Sequence, residues 1–363
     1  MSKVLIIVPY SHPSKCGVWT RAWSDAQFLK SQGYDVTIFS SNIIKGTIMK
    51  SGRYEEIDNI KIKRFKVLFS LGISSMFWLY LRSFINLNPE IVHVHGYRHP
   101  HSIQGLILSK LSGKKVFITT HAPFEKDNSR ALYLKIIDFL YDILIGWWEL
   151  RLYNNVIRIS HWEEKYLLNL GIHNSIYIPN GLSKIFETEE VKFLHKKNKR
   201  IIYMGRIDPI KRLEWMQFAA KALPEFQFYI RGPLNVYEHF NAESSNMTII
   251  PNKYELNEFK KELSNADIYV LPSIREALPF TLLEAMSQGV ICLSSNSKGG
   301  EEVIQDGANG FIFKTKDELV AKINYVYANW TLSKKIKENS ILKSKEYALD
   351  KINRDLLEVY SSK

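Results

Sequence analysis

Two carboxylates, Glu276 and Glu284, are separated by seven residues in the stretch Pro272-Ser-Ile-Arg-Glu-Ala-Leu-Pro-Phe-Thr-Leu-Leu-Glu-Ala-Met-Ser-Gln-Gly289. The run just before them, Asp267-Ile-Tyr-Val-Leu271, is short and apolar and predicts a buried strand. Pro279 suits a helix start, and Phe280, Leu282, Leu283 and Met286 supply an apolar face. Glu276 then falls on the loop before the helix, and Glu284 in its second turn. The first amides of that helix, at Phe280, Thr281 and Leu282, together with its dipole, suit an anion such as a phosphate. One carboxylate is expected toward a sugar and the other toward a ribose diol beyond the phosphates, which suits a sugar nucleotide. On spacing alone, a loop charge and a solvated helix residue are the commoner reading, because acidic pairs are frequent on helices.

A second constellation supplies positive charge. Residues 200–204 read as a strand that runs into Gly205-Arg206-Ile-Asp-Pro-Ile-Lys211, before a helix over 213–222. Arg206 and Lys211 flank one strand-to-helix loop, so both cations converge on a diphosphate. There they would neutralise charge growing on a leaving nucleoside diphosphate.

Together with Gly299-Gly300-Glu301-Glu302, these residues resemble the retaining, nucleotide-sugar-dependent glycosyltransferases of family 4, whose signature is a Glu-(seven residues)-Glu pair. The resemblance covers nearly the whole chain and is most specific over about residues 200–315. It implies the α/β GT-B architecture, two Rossmann-like doubly wound domains facing a central cleft. Residues 1–182 would form the acceptor domain and 183–339 the nucleotide-sugar donor domain, with a helix over about 340–363 packing back on the first. The implied activity is that of a retaining hexosyltransferase, moving a hexosyl-type sugar to a hydroxyl of a glycan or lipid-linked acceptor. His121, Glu276, Arg206 and Lys211 would be its catalytic residues, with His121 beside the anomeric centre and Glu276 on hydroxyls of the transferred sugar. Donor contacts would come from Gly17, Gly205, Arg206, Lys211, Gly232, Asn252, Lys253, Phe280, Thr281, Leu282 and Glu284. No metal or other cofactor is expected, because cations and helix amides do the neutralising. One departure stands out: relatives carry two adjacent glycines in the first loop, where this chain has Cys16-Gly17. A sugar-nucleotide epimerase and a catalytically silent nucleotide- or glycan-binding protein remain as alternatives.

The elements that must position these groups are those of a large α/β protein. At 363 residues, with 45% hydrophobic and 24% charged residues, the chain suits two domains with ample core. Two cysteines far apart, Cys16 and Cys292, indicate no disulfide framework and fit a reducing, cytoplasmic compartment. Of the formal charge of +12, +10 lies in residues 1–185, which hold 23 Lys and Arg against 13 Asp and Glu. Such a basic front half suits an anionic membrane surface or an acidic substrate. No aromatic-basic RNA module occurs, so nucleic acid is not an expected partner.

In the front half, residues 3–9 predict a strand, 20–32 a helix and 35–39 a second strand, opening a doubly wound sheet. The basic cluster at Lys61, Lys63, Arg64 and Lys66 precedes an apolar stretch over 68–85 expected as a helix, an arrangement that suits a bilayer interface. His93 and His95 are expected on opposite faces of their strand and without a shared metal. His121 ends another β-rich run at Thr119-Thr120, and His99 and His101 lie in a loop. Residues 131–153 are apolar nearly all round, hence a helix either buried or lying against lipid. Ser160 is expected to cap a helix with Glu163 at its third position.

Overall fold

The computed structural model describes residues 2–14, 16–45, 50–71, 75–125, 131–187, 198–234, 239–252 and 255–361. Lys253 and the linker lysines Lys196 and Lys197 lie outside the described residues. The chain divides into two compact units, one of residues 1–179 with 353–363, the other of residues 180–352.

The first unit runs β1 (Lys3–Val8), α1 (Gly17–Ser31), β2 (Asp35–Ser41), β3 (Tyr54–Ile57), β4 (Ile60–Phe65), β5 (Phe69–Leu71), β6 (Ser75–Phe77) and α2 (Leu81–Leu87). It continues β7 (Ile91–His95), α3 (Pro100–Leu111), β8 (Lys115–Thr119), α4 (Leu132–Tyr141), α5 (Trp147–Leu152), β9 (Asn155–Arg158), α6 (Glu163–Asn169) and β10 (Ser175–Tyr177). Its main sheet has the order β10-β9-β8-β7-β1-β2-β4-β3, parallel except for the β3–β4 pair. Val4 through Val8 are wholly buried, because a central parallel strand is covered on both faces and must be apolar throughout. The strand order reverses between β1 and β7, the place where doubly wound sheets bind ligands beyond their carboxyl ends.

The second unit runs β11 (Arg200–Met204), α7 (Glu214–Ala222), β12 (Gln227–Arg231), β13 (Met247–Ile250), α8 (Leu256–Ser264), β14 (Ile268–Leu271) and α9 (Phe280–Ser287). Then come β15 (Ile291–Ser295), α10 (Lys298–Val303), β16 (Phe311–Phe313), α11 (Lys316–Ala328) and α12 (Ser333–Lys345), while α13 (Leu349–Ser361) begins in this unit and from Asn353 onward belongs to the first. Its six strands are all parallel in the order β13-β12-β11-β14-β15-β16. The reversal here falls between β11 and β14.

Several expectations are corrected. The stretch 68–85 is not one helix but the antiparallel β5–β6 pair followed by the short α2. Trp78 and Tyr80 between them are buried, and both rings pack on Phe65. Aromatic side chains dominated that sequence window, and they seek a pleated, half-buried surface more than a helix face. The segment 131–153 is divided as α4, a π-helical turn at Asp142–Gly146, and α5. A Cβ on Gly146 would lie 1.8 Å from the Tyr97 hydroxyl, so only glycine lets the turn close over that ring. None of the residues of α4 is buried, which removes the buried reading of that helix. The last helical region breaks into α12 and α13; residues 340–352 belong to the second unit and residues 353–363 to the first.

Candidate active site

In the second unit, the two loops at the strand-order reversal carry the charged residues. The loop after β11 holds Gly205, Arg206 and Lys211; the loop after β14 holds Glu276. Asp208 organises the first loop, its carboxylate accepting from the Ile210 amide at 3.1 Å and pairing with Arg206 Nη1 at 3.1 Å. The two loops are stapled together. The Ile274 amide donates to the Ile210 carbonyl at 2.8 Å, and Arg212 Nε donates to the Pro272 carbonyl at 2.9 Å. Lys211 Nζ then donates to Glu276 Oε1 at 2.5 Å, and Ser273 Oγ donates to the same oxygen at 2.6 Å. The side chains of this pair are only 16% and 13% exposed. An ammonium carries three donors, so Lys211 can hold Glu276 and still reach a phosphate.

Glycine backs these loops where nothing larger fits. A Cβ on Gly232 would lie 1.7 Å from the Gly205 carbonyl oxygen, and one on Gly299 would lie 2.6 Å from the Glu276 carbonyl oxygen. The Gly299 amide donates to that same carbonyl at 2.9 Å, fixing the turn that aims Glu276. Asn252, farther along the edge, accepts from Arg231 Nε at 3.2 Å.

Helix α9 starts at Phe280 with Pro279 as its extended N-cap, as the proline predicts. Thr281 is fixed by the Tyr269 hydroxyl, 2.8 Å from its Oγ1, while the Leu282 side chain is buried in the core. Glu284 is buried, at 7% exposure, not solvated. Burial alone pushes its carboxyl up to about 8. No cation pairs with it among the described residues. A carboxyl left in that state is suited to a ligand that donates hydrogen bonds to it.

In the first unit, the reversal point is lined with imidazoles. His95 ends β7, and its Nδ1 lies 3.0 Å from His121 Nε2. On its other side His95 Nε2 is 3.9 Å from Asp25, which Arg21 grips through Nε at 2.9 and 3.0 Å. Arg21 also donates to the carbonyls of Ile178 and Pro179. His93 is the neighbour, not the opposite, of His95: their ring centroids are 4.3 Å apart. Residues i and i+2 share one face of a strand, and that corrects the opposite-face expectation. Asp25, His93 and His95 could in principle gather a cation. The donor set fits poorly, however. Both His93 nitrogens are engaged by Tyr360 and Thr119, and the Arg21 guanidinium lies on Asp25. Burial, and then the Arg21 charge, push His121 down to about 3, so its imidazole is neutral. His101 is also buried, bonded to the His95 carbonyl and stacked on Trp78.

The chain turns sharply at His121. This residue and Ala122 both lie in the left-handed region, at φ 59° and 51°. Each such residue costs on the order of 1–3 kcal/mol and persists only where its surroundings hold it. Gly17, for its part, is the first residue of α1, with buried Cys16 as the extended N-cap.

The family model described as Glycosyltransferase Family 4 matches residues 16–184, and that described as Glycosyl transferases group 1 matches residues 185–343. The chain belongs to the family 4 glycosyltransferases. An uncharacterized glycosyltransferase of Haemophilus influenzae is 27% identical over 53% of this chain and 55% of its own length. The UDP-Gal:alpha-D-GlcNAc-diphosphoundecaprenol alpha-1,3-galactosyltransferase of Escherichia coli is 23% identical over 63% of each chain. These matches thus span somewhat over half of those relatives' lengths. The crystal structure of Anabaena HepE with UDP-glucose superposes with a TM-score of 0.74 at 14% identity, covering all of both chains. The fold is GT-B, with two Rossmann-like units. Sequence reasoning missed three supports, Asp208, Ser273 and the Arg21–Asp25 pair, and saw only the local bonding of Glu163. The i,i+4 spacing of Arg21 and Asp25 was a readable signal.

Proposed function

We propose that the protein is a retaining hexosyltransferase. It moves a sugar from a nucleoside-diphosphate donor to a hydroxyl of a glycan or lipid-linked acceptor at the cytoplasmic membrane face, in polysaccharide or glycoconjugate synthesis. The observation that carries this reading is the convergence of Arg206, Lys211 and Glu276 on two stapled loops beside the start of α9. Arg206 and Lys211 hold the diphosphate and stabilise the charge that grows on it as the glycosidic bond breaks. The amides at Phe280, Thr281 and Leu282 add to that field. Glu284 accepts from the ribose hydroxyls, Glu276 from hydroxyls of the transferred sugar, and neutral His121 serves the sugar near its anomeric carbon. Gly17, Gly205 and Gly232 allow close backbone approach, and Asn252 serves the base together with Lys253. Positioning and fixed charge do the work, with no covalent protein intermediate and no metal, so a chelator leaves turnover unchanged.

Three observations support the donor and acceptor classes. HepE binds UDP-glucose. The Escherichia coli relative uses UDP-Gal and a diphosphoundecaprenol-linked acceptor. In this chain α4 exposes an apolar face, with Leu132 at 72% and Phe139 at 63%, which suits an interface with lipid. No helix among the described residues is long and apolar enough to cross a membrane.

The test is a transfer assay with a panel of nucleotide sugars and a polyprenyl-diphosphate sugar as acceptor, the product's anomeric configuration being read by NMR. Net retention with acceptor-dependent turnover is expected. An inverted product would overturn the retaining mechanism. Sugar interconversion without acceptor would make the protein an epimerase, and absence of turnover with every donor a binding protein.

A further inference from the structure

Glu163 opens α6 and is wholly buried. The capping pattern accounts for part of its bonding: its Oε1 accepts from the amides of Ser160 at 3.1 Å and Ile159 at 2.8 Å. The other oxygen leaves the helix altogether. Glu163 Oε2 accepts from the Ala122 amide at 3.0 Å and from the Thr120 hydroxyl. One carboxylate thus ties the residues just after β9 to those just after β8, and its two anchors there, Thr120 and Ala122, lie on either side of His121. The backbone between these anchors, and at Ala122 itself, is strained, since His121 and Ala122 both have positive φ without being glycine. A strained turn keeps its shape only if its surroundings over-determine it.

We infer that Glu163 is a positioning residue for the transfer reaction, clamping the Thr120–Ala122 turn so that the His121 ring is held against His95. The clamp rests on the proposed role of His121 at the transferred sugar. Its chemistry requires an acceptor at all four bonds. A carboxylate is acceptor-only, whereas an amide carries an N–H pair that would oppose at least one of these donors. Burial pushes the Glu163 carboxyl up to about 7 despite its four donors, so the clamp is in its acceptor form at pH 8.

The experiment is a double-mutant cycle at pH 8 on the full chain, with kcat and donor KM measured for wild type, Glu163→Gln, His121→Ala and the double variant. Glu163→Gln is expected to lower kcat about tenfold while donor KM changes less than about twofold, since the lost interaction concerns the transition state. In the His121→Ala background the same change is expected to cost less than about twofold, because residues acting through one another are not additive. A purely structural role predicts equal losses in both backgrounds, and that result would overturn the inference. Should Glu163→Gln fail to fold, Thr120→Val removes one of the four donors, and the same non-additivity with His121→Ala is expected. If His121→Ala itself leaves kcat unchanged, the role of His121 falls, and the clamp's catalytic meaning with it. If His121→Ala is damaging and the losses simply add, only the clamp is wrong.

Discussion

The two units repeat one topological device with opposite electrostatics. In each, a parallel sheet reverses its strand order and the loops at the reversal carry polar groups. In the second unit those groups are charged: Arg206 with Asp208, and Lys211 with Glu276. In the first they are imidazoles, with His95 and His121 at 3.0 Å and His93 packed beside them. Burial drives all three toward the neutral form. The sheet therefore decides where a ligand goes, and the side chains decide whether it meets charge or neutral hydrogen-bonding groups. A diphosphate needs the cations of the first kind of surface, whereas a sugar hydroxyl can be met by neutral groups as well as by a carboxylate.

The largest way to break this contrast is to remove charge from the second unit. Lys211→Ala leaves Glu276 without its ammonium and, in the proposed function, takes one cation from the diphosphate. Turnover is expected to fall about 10²- to 10³-fold, the usual loss when one electrostatic stabiliser of a transition state is deleted. Thermal melting checks that the fold persists, and a loss in kcat below about threefold would remove Lys211 from the site.

A smaller effect follows from Glu284. Its carboxyl stands at about 8 in the free protein, raised by burial, so it is protonated at neutral pH. A ribose diol donates to the ionised form, so nucleotide binding must release that proton and should tighten as pH rises. Calorimetry with a nucleoside diphosphate is expected to give a Kd about tenfold lower at pH 9 than at pH 7. The same raised carboxyl means that the unliganded protein loses stability as pH rises from 4.5 through 8. Glu284→Gln should flatten the binding profile. Affinity indifferent to pH in the unsubstituted protein would show that the ribose does not use this residue.

These supports were unequally legible in the amino-acid sequence. Strands such as β1 and β14, and the start of α9 at Pro279, follow from local rules: a continuous apolar run and a fixed φ. The corrections arise where long-range packing decides. Trp78 and Tyr80 read as part of an apolar helix, yet they fill an aromatic cluster around Phe65 that only the folded sheet creates. Glu163 read as a local helix cap, and half of its bonding is local. Its contacts with Thr120 and Ala122, 43 and 41 positions away, depend on the adjacency of β8 and β9. Glu284 was singled out by its spacing from Glu276, but its burial was not legible, because burial of a particular carboxyl is a tertiary property.

On the first unit's surface, the exposed face of α4 gives a more modest prediction. Ile136 of α4, at 49% exposure, and Leu144 within the π-helical turn that follows it, at 64%, are both exposed. Changing either to Ser removes apolar area that would enter the headgroup boundary, at roughly 25 cal/mol per Å². Co-sedimentation with anionic vesicles is expected to weaken about fivefold, with turnover on a water-soluble acceptor analogue unchanged. Unaltered vesicle binding would assign lipid contact to another surface.

The smallest expected effect is none at all, and it is the sharpest statement about the imidazole cluster. An imidazole in water changes charge near pH 6.5. His121 is surrounded by buried packing and by the like charges of Arg21 and Lys45, which hold it down at about 3. His95 is depressed by burial and by its neighbouring rings. Nitrogen NMR of the labelled protein should therefore show neutral tautomers for both rings across pH 5–8, while solvent-exposed imidazoles titrate in the same spectra. A cationic His121 signal at pH 6 would mean that the first unit offers charge after all, and the division of labour between the two reversal points would have to be abandoned.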